Sequence, residues 1–203
     1  NRSTLIDGIG IDLDYFRPEP PPKANRIEFL FIGRLIEQKG VLTFIEAAKR
    51  ILKLRSDVTF TLVGELDSNS KEITKAHLKA WVDSGVVRYA GFVEDIRPYI
   101  QRASAVVLPS YYREGLPRSL LEGMAMGRPL ITTDTPGCRE TVVSELNGFL
   151  VQPNDATELA NAMMRLIDEP ALIKRMGNES RRIAEERFDV RKVNNLLAKL
   201  LLS

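Results

Sequence analysis

The stretch Glu114-Gly115-Leu116-Pro117-Arg118-Ser119-Leu120-Leu121-Glu122 carries two carboxylates, one at each end of a short segment. An apolar run from Ala105 to Pro109 precedes it and reads as a buried strand. Leu116, Leu120, Leu121, Met124 and Ala125 then fall on one helical face. A strand end, a polar loop and a helix start thus follow in succession, the place where open α/β sheets bind ligands. The first turn of a helix leaves N–H groups without intrahelical partners and carries the positive end of the dipole, which suits a phosphate. Eight helical positions span roughly 12 Å at a rise of about 1.5 Å each; Glu114 precedes the helix, so this is an upper guide. On that scale two carboxylates can hold two hydroxyl-bearing ends of one ligand with a diphosphate between them. The same glutamates would also serve as solvated helix-start charges, and the stretch alone leaves both readings open.

A second loop adds the complementary charge. Gly33-Arg34 and Lys39-Gly40 stand between a strand and a helix. Arginine offers a planar fork and lysine a compact charge, both suited to phosphate oxygens, and a glycine beside each lets the backbone approach closely. A solvated strand–helix loop would look the same. No Gly-Lys-Ser/Thr follows and no GxGxxG is present, which disfavours a nucleoside triphosphatase or a dinucleotide dehydrogenase. His77 sits among polar residues and reads as part of a solvated helix face, Trp81 as core. Cys138 has no histidine near it in sequence to act as a base. The charges from Lys174 to Arg187 read as a salt-bridged solvated helix.

Composition excludes several classes. The chain has 203 residues, 44% hydrophobic and 28% charged, an ordinary globular balance. Lys+Arg 29 against Asp+Glu 27 leaves +2, so no global field argues for nucleic acid. One cysteine and one histidine rule out an internal disulfide, a cysteine zinc cluster and a histidine-rich metal site. No apolar run reaches transmembrane length and no signal peptide is legible. The expected location is cytoplasmic, compatible with the inner face of a membrane.

The elements that must position these residues follow in order. Ile6 to Phe16, followed by Pro18 and Pro20-Pro21-Pro22, reads as an extended linker, so a piece of a larger protein is expected. Strands are expected over Ile27–Ile32 (broken only by Glu28), Val58–Val63, Val86–Tyr89, Ala105–Leu108, Pro129–Thr133 and Gly148–Val151. Helices are expected after Gly40, over Ser70–Ser84 and Asp95–Arg102, from the central motif onward, near Glu140, and over Thr157–Ile167, Pro170–Phe188 and Val190–Leu202. Alternation of near-continuous apolar strands with helices predicts an α/β fold: a Rossmann-like parallel sheet with helices on both faces and extra C-terminal helices. The stripe of Val193, Leu196, Leu197, Leu200 and Leu201 must pack on something.

Gly33-Arg34 with Lys39-Gly40, Phe92-Val93 ahead of Asp95, Pro109-Ser110, Glu114-Gly115 with Glu122, Met124-Ala125, Gly127 and Pro129, and later Gly137, Glu140 and Asn147-Gly148 occur in one order. In that order and at those spacings the chain resembles the C-terminal half of the retaining glycosyltransferases of family 4, which have the GT-B fold of two Rossmann-like domains. Ser110 to Pro129 is especially similar to bacterial enzymes that extend glycans on polyprenyl-diphosphate carriers with UDP-linked sugars. The resemblance implies three parts: an interdomain linker over 1–24, a nucleotide-sugar-binding domain over 25–188, and a C-terminal helix over 189–203 that crosses to the N-terminal domain.

The resemblance also implies roles. Arg34 and Lys39 would neutralise the donor diphosphate in place of a metal, so no cofactor is expected. Glu122 would accept from the ribose diol and Glu114 would bind donor-sugar hydroxyls near the reacting carbon; Glu114, Arg34 and Lys39 are the catalytic candidates. Gly33, Gly115, Leu116 and Arg118 would offer backbone groups to phosphate or sugar, Pro117 having no N–H to give. Phe92 and Val93 would meet the base. The acceptor, a glycan or a polyprenyl-diphosphate-linked glycan, would bind through the missing N-terminal domain. A nucleotide- or phosphosugar-binding module without transferase activity is the alternative; sugar-nucleotide epimerases of the same fold are disfavoured.

Overall fold

The computed structural model describes residues 10–18, 26–67, 70–113 and 115–201. Among them six parallel strands form one sheet in the order β3-β2-β1-β4-β5-β6. The strands are β1 (Ile27–Ile32), β2 (Val58–Val63), β3 (Arg88–Tyr89), β4 (Ala105–Leu108), β5 (Leu130–Thr133) and β6 (Gly148–Val151). The helices are α1 (Val41–Leu52), α2 (Lys75–Asp83), α3 (Arg97–Arg102), α4 (Arg118–Ala125), α5 (Ala156–Asp168), α6 (Ala171–Ile183) and α7 (Val190–Leu201). The chain moves from β1 outward to β2 and β3, then returns to β4 on the other side of β1. Right-handed crossovers running in opposite directions put α1 and α4 on opposite faces. Accordingly α1 packs on α5, and α4 packs on α6. The expected α/β architecture is the observed one.

The central strands are apolar because both faces are covered. Phe29, Leu30 and Phe31 of β1 and all of β4 are essentially inaccessible. Phe29 stacks on Phe60 at 5.6 Å, and Phe44 of α1 meets Phe60 edge-on at 5.9 Å. Glu28, the polar break in β1, is explained by its neighbour: the Thr61 hydroxyl donates to its carboxylate at 2.7 Å.

Several boundaries differ from the expectation. The second helix begins at Lys75, not Ser70, because Thr74 caps it: its Oγ1 accepts from the His77 N–H at 3.2 Å, while His77 Nδ1 accepts from the Thr74 N–H at 3.4 Å. His77 is exposed as expected, but it completes a capping box in the place where glutamate is usual. Trp81 is only partly buried and stacks beside His77. The long helix expected over Pro170–Phe188 is α6 followed by a π-helical segment, Ala184–Phe188, with Ala184 and Phe188 buried.

Residues 10–18 are also not loosely extended. Ile11, Leu13 and Phe16 are buried, and the Asp12 side chain accepts from the N–H groups of Asp14 and Tyr15 to form a tight turn. Ile11 exchanges backbone hydrogen bonds with Phe188 and Val190 at 2.7 and 3.1 Å. Apolar residues at short intervals in this segment give it a face to bury, which the prolines had masked. Residues 1–9 and 19–25 lie outside the described residues. In α7, Val193 is buried, while Leu196 and Leu197 remain 39% and 36% exposed.

Candidate functional site

The site residues converge at the C-terminal ends of β1, β2 and β4, where the strand order reverses, the crevice of doubly wound sheets. After β1 the chain forms a 3-10 turn, Glu37–Lys39, and enters α1 through Gly40. Gly40 has φ +76°, and a Cβ there would stand 2.0 Å from the Pro109 carbonyl oxygen. Only glycine lets this loop lie against the one that follows β4. Gly64, at the end of β2, plays the same part toward Gly33: a Cβ would stand 1.9 Å from the Gly33 oxygen. The Gly64 N–H in turn donates to Gly91 O at 2.8 Å, which places Phe92 and Val93 beside the ends of β1 and β2.

The loops after β1 and β4 are bound to each other. Gln38 O accepts from both the Ser110 hydroxyl at 3.0 Å and the Tyr111 N–H at 3.1 Å. Ser110 is itself fully buried, and its carbonyl accepts from the hydroxyls of Thr133 and Thr135. Tyr111 is held by Glu37; burial first, and that carboxylate second, push its phenol above the usual range. Lys39 thus lies between Gln38, whose carbonyl is doubly held, and Gly40, seated on Pro109. Lys39 is half-buried; Arg34 is exposed, with a guanidinium nitrogen 3.8 Å from Asp67.

The second half of the site is the start of α4. Pro117 is the N-cap and no side chain caps the helix. The first intrahelical donors are Leu120 and Leu121, both to Pro117 O, so the N–H groups of Arg118 and Ser119 precede the ladder. Gly115 is exposed and Leu116 packs against the core. Glu122 is only 8% exposed, one turn inside the helix. Its carboxylate accepts from Arg118 Nε at 2.9 Å. Burial raises the Glu122 pKa, and Arg118 opposes that rise. Glu114 lies outside the described residues. Phe92 is 75% exposed, whereas Val93 packs against the core.

The structure therefore brings Gly33, Arg34, Lys39, Phe92, Val93, Gly115, Leu116, Arg118 and Glu122 to one end of the sheet. Sequence reasoning gave no role to Tyr111, Asp67, Thr133 or Thr135. The threonines at the exit of β5 were the available signal, since hydroxyls at a strand end can hold a neighbouring carbonyl. Among the described residues no group of three or more His, Cys, Asp or Glu side chains could hold a metal ion, and no helix is long and apolar enough to cross a membrane.

An open parallel sheet of this order, with a glycine-stepped polar crevice at its switch point, is a Rossmann-like ligand-binding fold, and comparison with known proteins identifies it as a C-terminal domain of the GT-B glycosyltransferases. Residues 26–169 match the family Glycosyl transferases group 1, and the chain belongs to that family. It is 30% identical over 207 residues to the putative glycosyltransferase EpsD of Bacillus subtilis, covering 96% of this chain and 53% of EpsD. It is 32% identical over 179 residues to the UDP-Gal:alpha-D-GlcNAc-diphosphoundecaprenol alpha-1,3-galactosyltransferase of Escherichia coli, covering 80% of this chain and 45% of that enzyme. The crystal structure of Anabaena HepE in complex with UDP and glucose matches with a TM-score of 0.84 at 26% identity, over 96% of this chain and 55% of that one. The chain spans about half the length of the curated relatives it matches.

Proposed function

We propose that this chain is the donor-binding half of a retaining glycosyltransferase. The complete enzyme moves a hexosyl or N-acetylhexosaminyl group from a nucleotide diphosphate sugar, with UDP as the first candidate, to a glycan or lipid-linked acceptor. The carrying observation is the pair of interlocked loops at the switch point, which presents Arg34 and Lys39 opposite the uncapped start of α4. Arg34 and Lys39 neutralise the diphosphate as it departs. Fixed cations aimed at developing charge lower the barrier most in a site that excludes water. The free N–H groups at the start of α4 share that load. Glu122 accepts from the ribose diol, Phe92 and the backbone of Val93 meet the base, and Glu114 orients the donor sugar. No metal enters the reading, because two side-chain cations already supply the charge.

The acceptor binds through an N-terminal domain that residues 1–24 and 189–203 connect to this one, and the exposed Leu196 and Leu197 support such a contact. The enzyme works in the cytoplasm, with the inner face of the membrane as the place where a polyprenyl-linked acceptor is met. A thermal-shift panel of UDP, GDP, ADP and their sugars tests the donor assignment. UDP compounds should stabilise the chain by about 2.7 kcal/mol at about 100 times their dissociation constant, and EDTA should not change the shift. Loss of the shift in EDTA would overturn the metal-free reading.

A further inference from the structure

Glu122 and Arg118 form an asymmetric pair. The carboxylate side chain is 10% exposed and the guanidinium 80% exposed, with 2.9 Å between Nε and Oε1. Pairs spaced four residues apart on a helix surface usually contribute little to stability. This one differs because a single partner has left water. We propose that Arg118 is a positioning residue: its side chain keeps Glu122 ionised and fixes one carboxylate oxygen, so that a carboxylate rather than a carboxylic acid meets the diol of a nucleotide ribose. The inference rests on the reading of Glu122 as the ribose acceptor.

The chemistry follows from the donor and acceptor inventory. An ionised carboxylate only accepts, and two diol hydroxyls need acceptors; a protonated one spends an oxygen as a donor. Burial disfavours the charged form, so an acid in the place of Glu122 drifts toward neutrality without a counter-ion. Arginine suits that task because it keeps its proton throughout the accessible range.

Among the described residues, Arg118 is the one charged group that acts on the Glu122 carboxylate. Within α4, Arg118 and Glu122 are the only titratable side chains, and β4 and β5 carry none. From α6, Arg181 is engaged by Glu185, Phe16 O and Ala125 O. In the π segment Glu186 pairs with Arg182, and Arg187 donates to Glu140 O. Glu114 lies outside the described residues.

Burial already raises the Glu122 pKa and Arg118 holds it down. Affinity for the diol therefore falls as pH falls through the Glu122 titration, and removing Arg118 moves that fall to higher pH.

UDP affinity of the 203-residue chain, measured by titration from mildly acid to mildly alkaline pH, tests this. Arg118→Ala should bind UDP about two- to fivefold more weakly on the acid side, the range of a partly exposed ion pair, and should match the native chain on the alkaline side. Arg118→Lys should recover most of the loss. In a Glu122→Gln background Arg118→Ala should leave the pH profile unchanged. Superimposable profiles for Arg118→Ala and the native chain, or an equal loss at every pH, would overturn the proposal. The ribose reading has its own arm: Glu122→Gln should bind UDP and 2′,3′-dideoxy-UDP alike, whereas the native chain should prefer UDP. Failure of that arm alone removes the ribose assignment, and with it the purpose given to Arg118.

Discussion

The two ends of the sheet use arginine in opposite ways. At the N-terminal end, Arg128 is 3% exposed and donates to Ile100 O at 2.8 Å and Gln101 O at 3.0 Å. Arg181 donates to Ala125 O at 2.7 Å and Phe16 O at 2.9 Å. These carbonyls close the C-terminal turns of α3 and α4, or hold the segment 10–18. The Ile100 carbonyl also takes the Ala103 N–H at 3.2 Å, and the carbonyls of α3 and α4 lie at the negative ends of helix dipoles. At the C-terminal end, the Arg34 side chain is 66% exposed and only 3.8 Å from Asp67, and the helices present their positive ends instead. One end has its helix termini satisfied from within the fold. The other sets cations beside helix N-termini, where both call for an anion. The dipoles and the side chains have the same sign at the C-terminal end, where the proposed site lies.

The largest effect should come from the end that carries the proposed site. Glu114→Ala in the complete protein should cut turnover by about 10²–10³, by analogy with the loss of one fixed transition-state group, with a smaller change in donor affinity. A variant with native turnover would take Glu114 out of the site.

Next comes the direct contrast of the two ends. Lys39→Ala should weaken UDP binding by about 10- to 150-fold, a charged hydrogen bond of roughly 1.5–3 kcal/mol, and leave uridine affinity unchanged. Arg128→Ala should do the reverse: a stability loss of about 1–3 kcal/mol for the Gln101 carbonyl left without its donor, with unaltered UDP affinity. Calorimetric titration beside denaturant melts separates the two, and a shared loss of UDP affinity would erase the distinction between the ends.

Gly40→Ala should cost about 1–3 kcal/mol for a side chain in the left-handed region. It should also lower UDP affinity, because the clash with Pro109 displaces the loop that carries Lys39. The smallest effect is expected at Asp67→Asn. Stability should stay within about 0.5 kcal/mol, as for most surface changes, while UDP affinity rises slightly as Arg34 loses its anionic neighbour. A fall in affinity would mean that Asp67 aims Arg34 rather than competing with the ligand.

Strands were legible because the central ones are buried on both faces, and continuous runs such as Phe29-Leu30-Phe31 and Val106-Val107-Leu108 have no other stable use. Helix starts were less so. Ser70 to Thr74 carries the polar composition of a first helical turn, yet Ser70 Oγ accepts from the Ile73 N–H to close a separate turn, and Thr74 begins the helix. The fate of the N-terminal segment was misread because its prolines outweighed Ile11, Leu13 and Phe16, and the backbone partners of Ile11 lie far along the chain at Phe188 and Val190.

For the candidate site, residue types and spacing singled out Arg34, Lys39, Glu114 and Glu122 as candidates, since charge at a strand end or a helix start is a local property, while Arg118 entered through the family resemblance and for its backbone N–H. The sequence by itself therefore determined the α/β alternation, the strand runs and the set of charged candidates. Only the tertiary structure decided that Gly40 must seat against Pro109, that Ser110 and Tyr111 meet on Gln38 O, and that the exposed Arg118 guanidinium pairs with a buried Glu122 carboxylate. These contacts join segments far apart in the chain, 72 residues in the case of Ser110 and Gln38, or depend on how deeply one helix face is buried. Neither close approach nor burial is a property of a residue's neighbours in sequence.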